Sequence, residues 1–156
     1  MADSQAKVEA WYREHGSALL RYLGKRFGSD GADDLLQETF VHALRRPQRA
    51  GEAVSARAWL FGIARHVGLS AFRRRKEMAE LPQGVEARGQ EADARIGEMR
   101  QAIAKLPEEM RETLELRLAD DLSYEEIAAV LEIPVGTVRS RLHNAVKKLR
   151  EEICHE

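Results

Sequence analysis

The sequence has a single cysteine and no long apolar run. Its one cysteine, Cys154, rules out a disulfide within the chain and favours a reducing compartment. No apolar run approaches the roughly 20 residues that a membrane helix needs, and the stretch 1–16 has no apolar segment typical of a signal peptide. We therefore expect a cytoplasmic protein that does not insert into the membrane.

The sequence also has almost no net charge, −1 at pH 7 from 25 basic and 26 acidic side chains. These charges are segregated along the chain. Residues 1–76 carry a net +6, residues 98–132 a net −6, and residues 133–150 five basic and no acidic side chains. Because charges beyond about 10 Å are largely screened at moderate salt, contact with a polyanion depends on such local blocks. Near-neutrality therefore does not exclude binding to nucleic acid.

Apolar residues recur at helical spacings, and the alternation typical of β-strands is almost absent. Residues 11–27 follow the helical pattern, and Gly16 is predicted to divide them into two short helices. A further helix is predicted over 33–46, where Leu36, Phe40 and Leu44 lie four residues apart. A long one should run from its N-cap, Ser55, to the end of a basic strip at Lys76. The sequence predicts an all-α protein.

A change in composition separates two helical halves. Residues 77–97 contain Pro82, three glycines and few large apolar side chains, and they carry a net charge of −3. This composition is typical of a linker. We predict two small helical domains, 1–76 and 98–156, joined by a flexible acidic linker.

The strongest motif lies near the C-terminus. Ser123, followed three residues later by Glu126, has the sequence of a capping box and predicts the start of a helix. After a short turn, Pro134 suits the first position of a second helix. Two short helices joined by so tight a turn predict a helix-turn-helix. The second helix is predicted to bury Val135, Val138, Leu142, Val146 and Leu149.

The opposite face of this second helix is basic and polar. Arginine and asparagine have the geometry to read guanine and adenine in the major groove, whereas lysine and threonine suit phosphate. A solvated basic face on an ordinary helical hairpin is the alternative, and the absence of acids over 133–150 favours DNA binding. The candidate DNA-binding residues are Thr137, Arg139, Ser140, Arg141, His143, Asn144 and Lys147.

A second basic strip ends the long helix of the N-terminal half. Residues 64–76 carry five positive charges and no acid, with Phe72 among them and Trp59 and Phe61 just before. Aromatic rings beside a basic strip can stack on unpaired bases while the cations hold the backbone. At helical spacing, however, most of these aromatic residues are expected in the core. The basic strip itself is expected to be functional.

Three segments, in order, resemble the extracytoplasmic-function sigma factors of bacteria. DDLLQETFVHALRR, residues 33–46, resembles the helix with which this family binds core RNA polymerase. Residues 56–76 resemble its promoter-melting and −10 recognition helix, and residues 106–151 resemble the region that reads the −35 element. Three motifs in the family's order are far more specific than any one of them alone.

The resemblance implies a sigma factor that binds core RNA polymerase and directs initiation at specific promoters. It implies no enzymatic activity, cofactor or metal. Expected contacts are the clamp helices of the largest polymerase subunit, the flap region, promoter DNA and an anti-sigma factor. The loop 47–55 would capture a flipped −10 base. The implied polymerase-binding residues are Asp33, Asp34, Leu36, Gln37, Glu38, Phe40 and Val41. The implied −10 DNA contacts are Arg65, His66, Arg73, Arg74 and Arg75.

The sequence departs from the family pattern at two positions. His66 stands where the family often has asparagine, and Glu132 stands in a turn that usually carries glycine, which predicts a strained, positive φ angle. A stand-alone regulator shares the C-terminal motif, but no receiver or ligand-binding half with buried strands is visible before residue 98. An enzyme fits less well, because the histidines lack metal-ligand spacing and no phosphate-binding loop occurs.

Overall fold

The computed structural model describes residues 2–78 and 94–154. Within these ranges the chain is helical and contains no β-strand, which confirms the predicted all-α class. The elements are α1 (Ala2–Phe27), α2 (Ala32–Arg45), a short 3-10 helix (Pro47–Glu52), α3 (Ala56–Met78), α4 (Ala94–Ala104), α5 (Glu108–Leu118), α6 (Tyr124–Leu131) and α7 (Val135–Ile153).

The helices fall into two compact units, Met1–Ala87 and Arg88–Glu156, here called the N-terminal and the C-terminal unit. This division agrees with the expected pair of small helical domains. The linker predicted at 77–97 lies, from 79 to 93, outside the described residues. Among the described residues, no helix has the length and apolar character that crossing a bilayer requires.

In the N-terminal unit, α1, α2 and α3 each pack against the other two. Leu23 of α1 and Leu60 and Phe61 of α3 are completely buried between them. The Tyr22 ring meets the Phe61 ring edge-on, with 5.3 Å between centroids. Burying a side chain of this size contributes about 1.5–3 kcal/mol. This core holds the exposed faces of α2 and α3 in fixed positions.

The predicted break at Gly16 is wrong, because α1 is one continuous helix of 26 residues. Gly16 is buried within it, and glycine in a helix interior costs only about 1 kcal/mol relative to alanine. The packing of neighbours such as Leu19 and Leu23 against α2 and α3 outweighs that cost. The helix ends instead at Phe27, and Gly28 follows it with a φ of +100°, which suits a glycine at a helix C-terminus.

In the C-terminal unit, α5, α6 and α7 pack around one core, and α4 packs against α7. The predicted capping box is present at the start of α6. The Glu126 amide donates to Ser123 Oγ at 3.1 Å, and the Ser123 amide donates to Glu126 Oε1 at 3.0 Å. These bonds satisfy two amides that would otherwise lack partners, and so fix where the helix-turn-helix begins.

The turn between α6 and α7 confirms the strained conformation expected at Glu132, which has φ 57° and ψ 46°. Pro134, predicted as the first residue of α7, is its N-cap instead. Its ψ of 149° is extended, and its carbonyl accepts hydrogen bonds from the Thr137 and Val138 amides. The helix therefore starts one residue later, at Val135.

The buried stripe of α7 consists of Val138, Leu142, Ala145 and Leu149. Val146, which was predicted to be buried, is 41% exposed, and Val135 is only half-buried. Each residue turns the helix by about 100°, so spacings of four, three and four keep the stripe on one side. Val146 falls outside it, and Ala145 takes its place against the neighbouring helices.

Candidate nucleic-acid and protein interfaces

The face of α7 opposite its buried stripe presents most of the predicted DNA-binding side chains. Thr137 is half-buried in the first turn, which contains no acidic residue that would repel phosphate. Helix α7 packs against α5 and α6, and this packing sets its direction. Its outer face combines hydrogen-bonding groups with positive charge. The exposed members are Arg139, Ser140, His143, Asn144 and Lys147.

Arg141 differs from these residues in its surroundings. Its side chain is only 22% exposed, and its Nη2 lies 3.6 Å from Glu109 Oε2 in the first turn of α5. The predicted set of DNA-binding residues thus lies on two different sides of α7. Most of them face away from the unit, and Arg141 lies against α5.

The predicted polymerase-binding residues of α2 also divide into two groups. Leu36 and Phe40 are buried, and the Phe40 ring packs edge-on against Tyr12 of α1 at 5.0 Å. These two side chains hold α2 in place and are not accessible to a partner. Glu38 is half-buried, with its carboxylate 3.9 Å from His42 Nε2. The exposed residues are Asp33, Asp34, Gln37 and Val41, and the Glu38 side chain is 43% accessible.

An exposed apolar residue that the predicted set does not include lies next to this group. Leu44, four residues after Phe40, is 48% exposed, and Val41 is 47% exposed. Leu44 follows Gln37 by seven residues and Val41 by three, so the three share one face. Exposed apolar side chains that lie together and are surrounded by polar residues are typical of protein interfaces. The spacing from Gln37 was the signal that could have identified Leu44.

The basic end of α3 is accessible. His66, Arg73, Arg74 and Arg75 are exposed, and Arg65 is half-buried. The guanidinium of Arg75 lies over the start of α2, where a Cβ added to Gly31 would overlap it. Arg75 thus lies beside the N-terminus of α2, at one side of the basic strip.

The three aromatic residues of α3 occupy different environments. Phe61 is completely buried, as expected for a core residue. Trp59 is half-buried and meets Trp11 of α1 edge-on, with 5.8 Å between ring centroids. Phe72 is 47% exposed beside the arginines. Phe72 is therefore the aromatic side chain placed where a ring could stack on a base.

The segment between α2 and α3 is ordered by short-range contacts. Residues Pro47–Glu52 form the 3-10 helix, and Ala50 is its buried residue. The predicted cap at Ser55 is present, because its Oγ accepts a hydrogen bond from the Ala58 amide at 2.9 Å. Val54, which lies between the 3-10 helix and Ser55, is highly exposed. In the described part of the chain, no cluster of three or more His, Cys, Asp or Glu could hold a metal ion.

Both units match known sequence families. The family described as sigma-70 region 2 matches residues 11–78, and sigma-70, region 4 matches residues 96–149. A relative, the ECF RNA polymerase sigma factor EcfG of Rhodopseudomonas palustris, is 39% identical over 127 residues. That match covers 78% of this chain and 70% of the relative.

Two solved structures share the fold. One is CnrH in complex with the cytosolic domain of CnrY, with a TM-score of 0.68, 27% identity, and coverage of 97% of this chain and 90% of the other. The second is the sigma factor RpoE in complex with the anti-sigma factor NepR from Bartonella quintana. It has a TM-score of 0.65, 24% identity, and coverage of 91% and 96%.

Proposed function

The chain belongs to the extracytoplasmic-function RNA polymerase sigma factors of the sigma-70 family, and we propose that its two units divide promoter recognition between them. As a member of this family it binds core RNA polymerase and directs promoter-specific initiation, and it is not an enzyme. In the proposed division, 1–76 acts as region two and 98–156 as region four, joined by 77–97. We propose the cytoplasm as its location, because a sigma factor acts together with core RNA polymerase.

The exposed face of α7 is the observation that carries the proposed reading of the −35 element. Arg139, Ser140, His143 and Asn144 would face base edges in the major groove, where arginine favours guanine and asparagine favours adenine. Thr137 and Lys147 would hold phosphates. The capping box of α6 and the fixed turn at Glu132 support this role, because they leave α7 little freedom to tilt. Region four would also contact the polymerase flap.

The accessible side of α2 is proposed to dock on the clamp helices of the largest polymerase subunit. Asp33, Asp34 and Gln37 supply polar contacts, and Val41 supplies apolar area. We add Leu44 to this surface, since it lies on the same face and is equally exposed. Leu36 and Phe40 would act mainly by holding the helix in place, and Glu38, whose side chain is 43% exposed, would add a polar contact.

The −10 element is proposed to bind along α3 and the preceding loop. Extruding a base costs a few kcal/mol, which a binding pocket must offset. Residues 47–55, ordered by the Ser55 cap, would form that pocket. Phe72 is placed to stack on an unpaired base. The cations proposed to hold this strand are Arg65, His66, Arg73, Arg74 and Arg75.

An anti-sigma factor is proposed as a further protein partner. RpoE, whose fold this chain shares, forms a complex with the anti-sigma factor NepR. CnrH, which is more similar to this chain in sequence than RpoE is, forms a complex with the cytosolic domain of CnrY. A partner that covered the exposed faces of α2 or α7 would block polymerase or promoter binding, and so would keep the sigma factor inactive.

The proposed polymerase surface is tested by binding to bacterial core RNA polymerase. We expect the full chain to co-elute with the core enzyme, and Val41→Asp to weaken binding at least tenfold, because a carboxylate would be desolvated at the interface. Ala10→Asp places the same new charge on an exposed position of α1 and serves as the control. Thermal unfolding should be equal in both variants.

Equal polymerase binding by the two variants would contradict the proposed surface on α2. If the chain does not bind core polymerase but binds a specific DNA sequence alone, it is instead a stand-alone regulator.

If the chain does bind core polymerase, selection of promoters from random DNA by the reconstituted holoenzyme would define the −35 and −10 sequences.

A further inference from the structure

We propose that Arg141 is a positioning residue, which orients α7 for −35 reading through Glu109 of α5 and does not contact DNA. This inference rests on the proposed reading of the −35 element by α7. It reassigns one cation of the basic helix from the predicted DNA contacts to the internal support of the helix.

The helical phase of Arg141 is the first observation. It follows Val138 by three residues and precedes Ala145 by four, and both of these side chains are completely buried. At about 100° per residue, Arg141 lies at the edge of the buried stripe. Arg139 and Lys147 lie on other sides of the helix and are exposed. A side chain at the phase of Arg141 is directed toward the supporting helices.

The ion pair with Glu109 is the second observation. The guanidinium Nη2 lies 3.6 Å from Glu109 Oε2, and the arginine side chain is 22% exposed against 77% for the glutamate. Helices α5 and α7 pack closely. The apolar stem of Arg141 therefore packs on α5 while its charge meets a carboxylate. A phosphate at this place would have to compete with Glu109 and would be repelled by it.

The consequence for promoter reading follows from the rigidity of the helix. Arg139 and Asn144 stand on the same rod as Arg141, so a rotation or tilt of α7 displaces both from their bases. Displacements on the order of 1 Å are enough to weaken oriented contacts. The ion pair between Arg141 and Glu109 links α7 to α5 and so opposes a rotation or tilt of α7.

The test measures promoter binding by holoenzyme assembled from the full chain, as a function of salt. The variants are Arg141→Gln, Glu109→Gln, the double variant, and the exchange Glu109→Arg with Arg141→Glu. Lys147→Gln is the matched control, because Lys147 is an exposed cation of the same helix with a proposed phosphate contact. A promoter with a scrambled −35 element reports the −35-dependent part of binding.

We expect Arg141→Gln and Glu109→Gln each to weaken −35-dependent binding by about fivefold, the size expected for a partly exposed ion pair. The double variant should lose no more than either single one, since both remove the same interaction. The slope of log K against log salt should stay unchanged, whereas Lys147→Gln should reduce it by about 0.9. The exchange variant should recover binding to within about threefold of the wild type.

A different pattern would overturn the assignment. If Arg141→Gln reduces the salt slope by about 0.9, and Glu109→Gln leaves binding unchanged or strengthens it, Arg141 contacts phosphate. Failure of the exchange variant, with its fold intact by circular dichroism, would also count against positioning. If wild-type holoenzyme binds the scrambled promoter equally well, the proposed −35 function itself fails, and this inference fails with it.

Discussion

Single residues decide how closely the helices of the N-terminal unit approach. On α3, a Cβ at Gly68 would overlap the buried ring of Phe27, whereas a Cβ at Gly62 would meet no atom within 4 Å. Gly68→Ala must therefore displace the ring or the helix, and we expect it to lower the free energy of unfolding by about 1–3 kcal/mol. Urea denaturation measures this loss.

Gly62→Ala is the control for that change, because it makes the same substitution on the same helix. It should raise the free energy of unfolding by up to about 1 kcal/mol, since alanine has the higher helix propensity. Equal effects of the two substitutions would mean that α1 and α3 do not approach at Gly68 as described.

Residue-scale features were predictable where the chemistry is local. The capping box and the strained turn involve Ser123, Glu126 and Glu132, which lie within ten residues of one another and interact with their own backbone. The partnership of Arg141 with Glu109 was not predictable, because nothing in the sequence of α7 says which helix covers its flank. An arginine in a basic run looks like a DNA contact until the packing is known.

At the scale of helices, the sequence predicted the existence of each helix more accurately than it predicted which face of the helix is buried. Leu36, Phe40 and Leu44 lie four apart, and so do Leu142 and Val146. A step of four residues overshoots a full turn by about 40°, so such a run drifts off the buried face. Its last member is exposed in both helices. Only the partner helices determine where the buried stripe is centred.

The position of the stripe on α7 predicts opposite outcomes for two neighbouring truncations. Leu142→Ala removes a buried side chain and should lower the free energy of unfolding by about 2–5 kcal/mol. Val146→Ala removes a largely exposed one and should change it by no more than about 0.5 kcal/mol. Chemical denaturation followed by circular dichroism measures both. A loss at Val146 as large as at Leu142 would show that the buried stripe is centred closer to Val146 than described.

For the whole molecule, the change in composition and charge along the chain was enough to predict two helical parts. Each unit buries its own set of large apolar side chains, such as Leu60 and Phe61 in the first and Ile127 and Val138 in the second. Composition did not predict the length of α1, since the helix continues through Gly16. A separate core in each unit implies separate folding, because cooperativity arises within a core.

Separate folding can be measured because both tryptophans, Trp11 and Trp59, belong to the N-terminal unit and their rings lie 5.8 Å apart. Tryptophan fluorescence should therefore follow that unit alone, whereas circular dichroism follows all helices. We expect Gly68→Ala to move the fluorescence transition to lower urea. Leu142→Ala should move only part of the dichroism transition and leave fluorescence in place. If Leu142→Ala shifts the fluorescence midpoint as much as it shifts the dichroism midpoint, the two units unfold as one cooperative body.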